Sequence, residues 1–215
     1  MSMPAAYKTA LPPLLLARSL SNQQTCPMDA TYRQSLSRRL RAVHSLYDDA
    51  TSSMTLEQVN AVVVEGALPI AFSLVHQVLI EDFSRAILDE TPPLWGESWR
   101  ARLALAIADD GKSRTVEEMM AQRIGDFDAF REFQSLVFAL TETFVDNIEP
   151  ATFADIVVAH PYPPSVANTF SARVGGTAGI SRSDAIESWI YQHALRHMGE
   201  IEHARALVGL GGMTS

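Results

Sequence analysis

The chain has 215 residues, 47% of them apolar and 20% charged, which is enough for one sizeable core and too little charge for a disordered or coiled-coil chain. Its 17 basic and 25 acidic residues leave a net charge of −8, which repels phosphate backbones and argues against general nucleic-acid binding. No apolar run approaches the roughly 18 to 20 residues that span a bilayer, so we expect a cytoplasmic protein with no membrane partner. The single cysteine, Cys26, excludes an internal disulfide framework and multi-cysteine metal sites.

Residues 1–29 read as an N-terminal extension. Lys8 and the apolar stretch 10–17 loosely imitate a secretory signal, but Pro12 and Pro13 interrupt it and no small-x-small cleavage site follows. A start at Met28 is a further alternative. Residues 30–210 then read as one domain, with 211–215 as a tail.

Leu36, Leu40, Val43, Leu46 and Tyr47 recur at three- and four-residue steps and predict a first helix over 30–50. Arg33, Arg38, Arg39 and Arg41 crowd it, and a solvated face is preferred to an anion patch. Residues 51–54 break the pattern, and Thr55 caps a short turn. A second helix is expected over 67–90, with Pro69 in its first turn and Phe72, Val75, Leu79, Phe83 and Ile87 along one face. Residues 91–114 form a connection that holds Trp95, Trp99 and an Asp109-Asp110-Gly111 turn. Thr115 and Glu118 make a capping box. They open a predicted third helix over 115–148 with the stripe Ile124, Phe127, Phe130, Phe133, Val137, Leu140 and Phe144. Residues 150–180 are rich in Pro, Gly, Ser and Thr and read as a loop. A second cap at Ser181 and Asp184 precedes a fourth helix over 183–208, which Gly209, Gly211 and Gly212 end. Four long amphipathic helices with long connections predict an all-α four-helix bundle.

The chemistry concentrates on the fourth helix. His193 and His197 are four residues apart, which puts both imidazoles on one helical face, about 5 to 6 Å apart at Cβ. Such a pair suits one divalent cation at about 2.0 to 2.1 Å from each nitrogen. Ile186, Ile190, Leu195, Ile201 and Leu207 surround the pair and point that face inward. A third ligand is needed, and His76 is the best candidate, because it lies mid-way along the most apolar helix. Alone it reads as a satisfied core histidine. His203 is rotated away from the pair, His160 sits in a loop, and His44 on the first helix is open between core, supporting and surface roles. Glu200 lies one turn beyond His197, as an acid–base group, a hydrogen-bond acceptor for a ligand, a fourth ligand, or a solvated glutamate. Tyr191 and Gln192 are weaker supporting candidates.

The run His193-Ala194-Leu195-Arg196-His197-Met198-Gly199-Glu200-Ile201-Glu202, with a histidine in the second helix and this helix order, resembles the DinB-like metal-binding four-helix bundle superfamily. The resemblance covers about residues 30–210. It implies a mononuclear site held by His76, His193 and His197. It also implies kinship with bacterial thiol-dependent transferases and isomerases, in which a divalent metal activates a low-molecular-weight thiol. Homodimerisation is a further implication, for which Trp95, Trp99 or Phe153 could serve, unless they pack under the connections.

Three neutral imidazoles leave the metal's charge uncompensated and coordination positions open, as in catalytic zinc sites. Zinc or nickel fits first, and iron or cobalt also suits. With no suitable cysteine in the chain, a thiol must come from a cosubstrate. The expectation is a metal-dependent small-thiol S-transferase or related hydrolase, with Glu200 as the catalytic candidate. The alternative is a non-catalytic metal-binding bundle with a structural or stress-response role.

Overall fold

The computed structural model describes residues 27–213. Cys26 and the signal-like stretch 10–17 lie outside them. The described chain is all-α apart from one two-stranded antiparallel ladder. Its long helices are α1 (Pro27–Ser52), α3 (Ile70–Leu88), α6 (Phe127–Asn147) and α9 (Gln192–Leu207). Between them lie the short helices α2 (Leu56–Asn60), α4 (Glu97–Leu103), α5 (Val116–Met119), α7 (Phe170–Gly175) and α8 (Arg182–Ala185). The strands are β1 (Ile156–Val158) and β2 (Ile180–Ser181). The helix α1 begins inside the stretch read as an extension.

The helix α1 packs on α6, α3 packs on α9 and α6, and α9 closes back on α1. Leu36, Leu40, Val43 and Tyr47 are all buried on α1, as the 3.6-residue period requires for a core-facing stripe. One part of the core gathers Tyr47, Leu74, Phe130, Phe133 and Ile201. Another gathers Leu36, Phe144, Val145, Ile186 and Ile190.

Three expectations are corrected. The capping box at Thr115 and Glu118 forms, yet it opens only the single turn of α5. The chain then leaves the helix because Gly125 lies against Ala104, where a Cβ would come within 2.7 Å of its methyl. Asp126 starts α6 anew by accepting the Ala129 N–H at 2.8 Å. Ile124 is therefore core but not helical, and the Asn60 amide binds both its N–H and its carbonyl at 2.9 Å. The second correction is Leu140, which is 40% exposed. The stripe of α6 passes through Thr141 instead, whose hydroxyl bonds back to the Val137 carbonyl at 3.1 Å.

The third concerns the last helix. The cap at Ser181 and Asp184 is present and starts α8, but residues Ile186–Tyr191 form a π-helix before α9 begins. Wider π turns shift the register of everything that follows. Leu195 and Leu207, expected on the inner face, are accordingly exposed.

Residues 150–180 hold more order than a loop, with a 3-10 turn at Pro150–Thr152, β1 and α7. Trp95 and Phe153 are buried under the connections. Trp99 packs on Phe133 with ring centroids 5.2 Å apart. Two backbone amides of the α3–α4 connection, at Leu94 and Trp95, are held by the buried Asp82 carboxylate at 3.0 and 2.8 Å. The α1 arginines tie elements together: Arg33 to the Ile148 carbonyl, Arg39 to Glu187, and Arg41 to Asp146. None of the described helices is long and apolar enough to cross a membrane.

Candidate metal centre

The contact between α3 and α9 brings three histidines together. His76, His193 and His197 each present one nitrogen, and these atoms all lie within 4.8 Å of one another. The Nε2 atoms of His76 and His193 are 3.3 Å apart. Ring centroids are separated by 5.1 Å (His76–His193), 4.8 Å (His76–His197) and 4.5 Å (His193–His197). Two ligands about 2.1 Å from one tetrahedral metal would stand about 3.4 Å apart. Two imidazole nitrogens at 3.3 Å share either a proton or a cation.

Each ring is oriented by a different part of the fold. His76 Nδ1 bonds the Asp110 carbonyl. This directs the Nε2 lone pair toward His193. Asp110 belongs to a turn that needs glycine: Gly111 has φ +73°, and a Cβ there would meet the Phe72 ring at 2.6 Å. Phe72 in turn stacks on His76, with centroids 5.5 Å apart and planes 9° from parallel. His197 Nδ1 bonds Glu200 Oε2 at 2.7 Å, and Ser73 donates to the same oxygen at 3.0 Å. A ring N–H held by a carboxylate or a carbonyl is the usual support of a metal-binding histidine. His193 is buried, and its Nδ1 has no hydrogen-bond partner.

The electrostatics favour unprotonated donors. Burial, then the other two histidines, pushes His193 down to about 2. Burial also lowers His76, against the opposing pull of the Asp110 carbonyl. The hydrogen bond from His197 lowers Glu200, whose side chain is half-exposed. Neutral imidazoles with free lone pairs are what a borderline cation requires, so the residues fit a divalent metal.

The structure thus brings together the three histidines singled out from the sequence, with Glu200 beside them bound to His197. His203 is exposed and away from them, and His160 lies in an exposed loop against Tyr162. Tyr191 lies under the Arg39 guanidinium, 4.7 Å from ring centroid to carbon. Gln192 forms no side-chain hydrogen bond among the described residues. Sequence reasoning missed Ser73 and the Asp110 carbonyl. Ser73 stands one turn before His76, so helical spacing could have flagged it, but nothing in a sequence announces a carbonyl.

His44 occupies a separate buried setting. Its Nδ1 bonds Glu142 at 2.8 Å, and its Nε2 forms an off-line ion pair with Glu81 at 3.1 Å. Phe138 stacks on the ring at 4.0 Å. Glu81 is fully buried and also accepts from Gln77 at 2.7 Å. Burial alone would lower His44, but Glu81 and Glu142 outweigh it and hold the ring above its ordinary value.

No known protein family and no curated protein matches the chain. A solved structure, described as that of the conserved protein of locus from Enterococcus faecalis, is similar with a TM-score of 0.66 and 20% identity. The match covers 81% of this chain and 95% of that one. At that identity the likeness speaks to the fold alone.

Proposed function

We propose that His76, His193 and His197 hold one divalent metal ion in a DinB-like four-helix bundle, and that the protein is a metal-dependent enzyme of the small-thiol S-transferase or related hydrolase class. The convergence of three histidine nitrogens within 4.8 Å carries this reading. The pairing of α1, α3, α6 and α9 supports the bundle. Zinc or nickel is the first choice, and iron or cobalt suits the same donors.

A bound divalent ion would supply Lewis acidity, lowering the pKa of a coordinated water or thiol. The chain's own groups do the rest. The Asp110 carbonyl and the Glu200 carboxylate fix the tautomers of His76 and His197. Glu200 keeps its other oxygen, Oε1, on the solvent side, where it accepts the proton that a thiol or water gives up. The chain's one cysteine, Cys26, lies outside the described residues, so the thiol is a cosubstrate. The protein works in the cytoplasm and needs no nucleic acid or membrane.

One observation favours the second reading, a non-catalytic metal-bound bundle. His193 is buried and the His197 side chain is only 12% exposed, which leaves a narrow approach. Metal analysis of protein purified without chelator decides the first point, and turnover of a thiol panel with an alkylating electrophile decides the second. One bound equivalent with thiol-dependent turnover supports the enzyme. One equivalent without turnover supports the structural role. Metal content near zero after zinc or nickel soaking, with an unmoved melting temperature, defeats both.

A further inference from the structure

Most described cations in this acidic protein are tied to carboxylates or carbonyls, as with Arg39, Arg41, Arg85, Arg102 and Arg114. Five side chains make no hydrogen bond or ion pair among the described residues: Arg38, Arg100, Lys112, Arg173 and Arg196. Three of these five belong to the surroundings of the histidine triad. Lys112 is the only lysine among the described residues, two positions past the Asp110 whose carbonyl holds His76. Arg196 sits on α9 between His193 and His197. The positive charges of Arg196 and Lys112 both reach His193. Arg100 reaches Asp109, in the same turn as Lys112. All three are exposed.

The nearby acids are already engaged. Asp109 pairs with Arg114 at 2.7 Å, and Glu200 is held by His197 and Ser73. A protein with a net charge of −8 repels anions at long range, and unpaired cations beside a cation site oppose the metal itself. Their placement makes sense when the second ligand of the site is negative.

We infer that Lys112 and Arg196, backed by Arg100, form a cationic rim that selects a carboxylate-bearing thiol at the histidine site. The inference rests on the metal reading above. The rim pairs with the carboxylates while the sulfur, having lost its proton to solvent, takes a coordination position beside the three imidazoles.

The test uses the full chain loaded with cobalt(II), whose visible absorption changes when sulfur binds. Mercaptosuccinate is the anionic probe and 1-thioglycerol the neutral one. The wild type is compared with Lys112→Gln/Arg196→Gln and with the charge-keeping Lys112→Arg/Arg196→Lys. The neutralised protein should lose mercaptosuccinate affinity about fivefold, as expected for removing two charges near the surface. Its thioglycerol affinity should stay unchanged, and it should bind cobalt more tightly, because a repulsion is gone. The charge-keeping variant should behave as wild type. A structural role for these residues cannot move the two probes in opposite directions. Equal losses for both thiols, or an unmoved mercaptosuccinate affinity, overturn the rim while leaving the metal site intact. Wild-type protein that takes up no cobalt overturns the metal reading, and the rim falls with it.

Discussion

The helix α3 takes part in two buried histidine settings, and they put one residue type to opposite uses. Around His44 the neighbours are carboxylates, Glu81 and Glu142, and the ring is held toward its charged form. Around His193 the neighbours are other imidazoles, and the ring is held neutral with a lone pair free. A buried imidazolium between two acids has no lone pair to give and serves as a counter-ion. A buried imidazole among imidazoles has nothing but its lone pair to offer. Company, more than burial, separates a structural histidine from a ligand.

The largest expected effect comes from breaking the ion pair. Glu81→Ala strands a buried positive ring and should cost about 3 to 5 kcal/mol of stability. Urea denaturation with and without chelator should return the same loss. A loss below about 1 kcal/mol, or one that appears only with metal present, would erase the contrast between the two settings.

Next is the triad. With zinc at about a hundredfold excess over its Kd, His193→Ala should forfeit about 2.7 kcal/mol of ligand-linked stability. That part of the gap to wild type should close when metal is stripped, whereas His203→Ala should melt as wild type in both conditions. If the gap does not depend on metal, His193 belongs with His44.

Glu200→Gln sharpens the comparison from the other side. It keeps the shape and removes the charge that orients His197, so metal should bind about 10- to 100-fold more weakly. Competition against a chromophoric chelator measures this, and an unchanged Kd would mean that His197 needs no orientation.

The smallest effect is a pH slope. His44 is raised in the folded state, so its stabilisation is complete below its unfolded value near 6.5 and is lost as pH rises through the folded value. One proton limits the slope to about 1.4 kcal/mol per pH unit. Chelated wild type should weaken, relative to His44→Gln, as pH rises above neutrality. The opposite sign would mean that the ring is neutral in the folded protein.

The sequence made some of this legible and hid the rest. The His193 and His197 spacing and the lone His76 in an apolar helix were readable because helical periodicity is a local property. The length of the third helix was not, since the close approach of Gly125 to Ala104 is a tertiary contact that overrides a well-formed cap at Thr115. The π-helix at Ile186–Tyr191 was hidden because its apolar spacing fits an ordinary helix equally well. Glu81 and Asp82 stood in plain view inside an apolar helix, but their partners, His44 and the amides of Leu94 and Trp95, come from distant segments.

The hydrogen bond from His76 to the Asp110 carbonyl has a consequence for how this protein tolerates change. A carbonyl belongs to the chain and not to a side chain, so no substitution at 110 deletes it. Position 110 should look permissive in a substitution scan although the site depends on it. Its vulnerability lies in spacing. Removing one residue between Asp109 and Arg114 would slide the carbonyl off His76 and turn the ring loose, while every histidine codon stayed intact. Lineages that keep all three histidines but vary the length of this turn would keep the letters of the site and lose its grip.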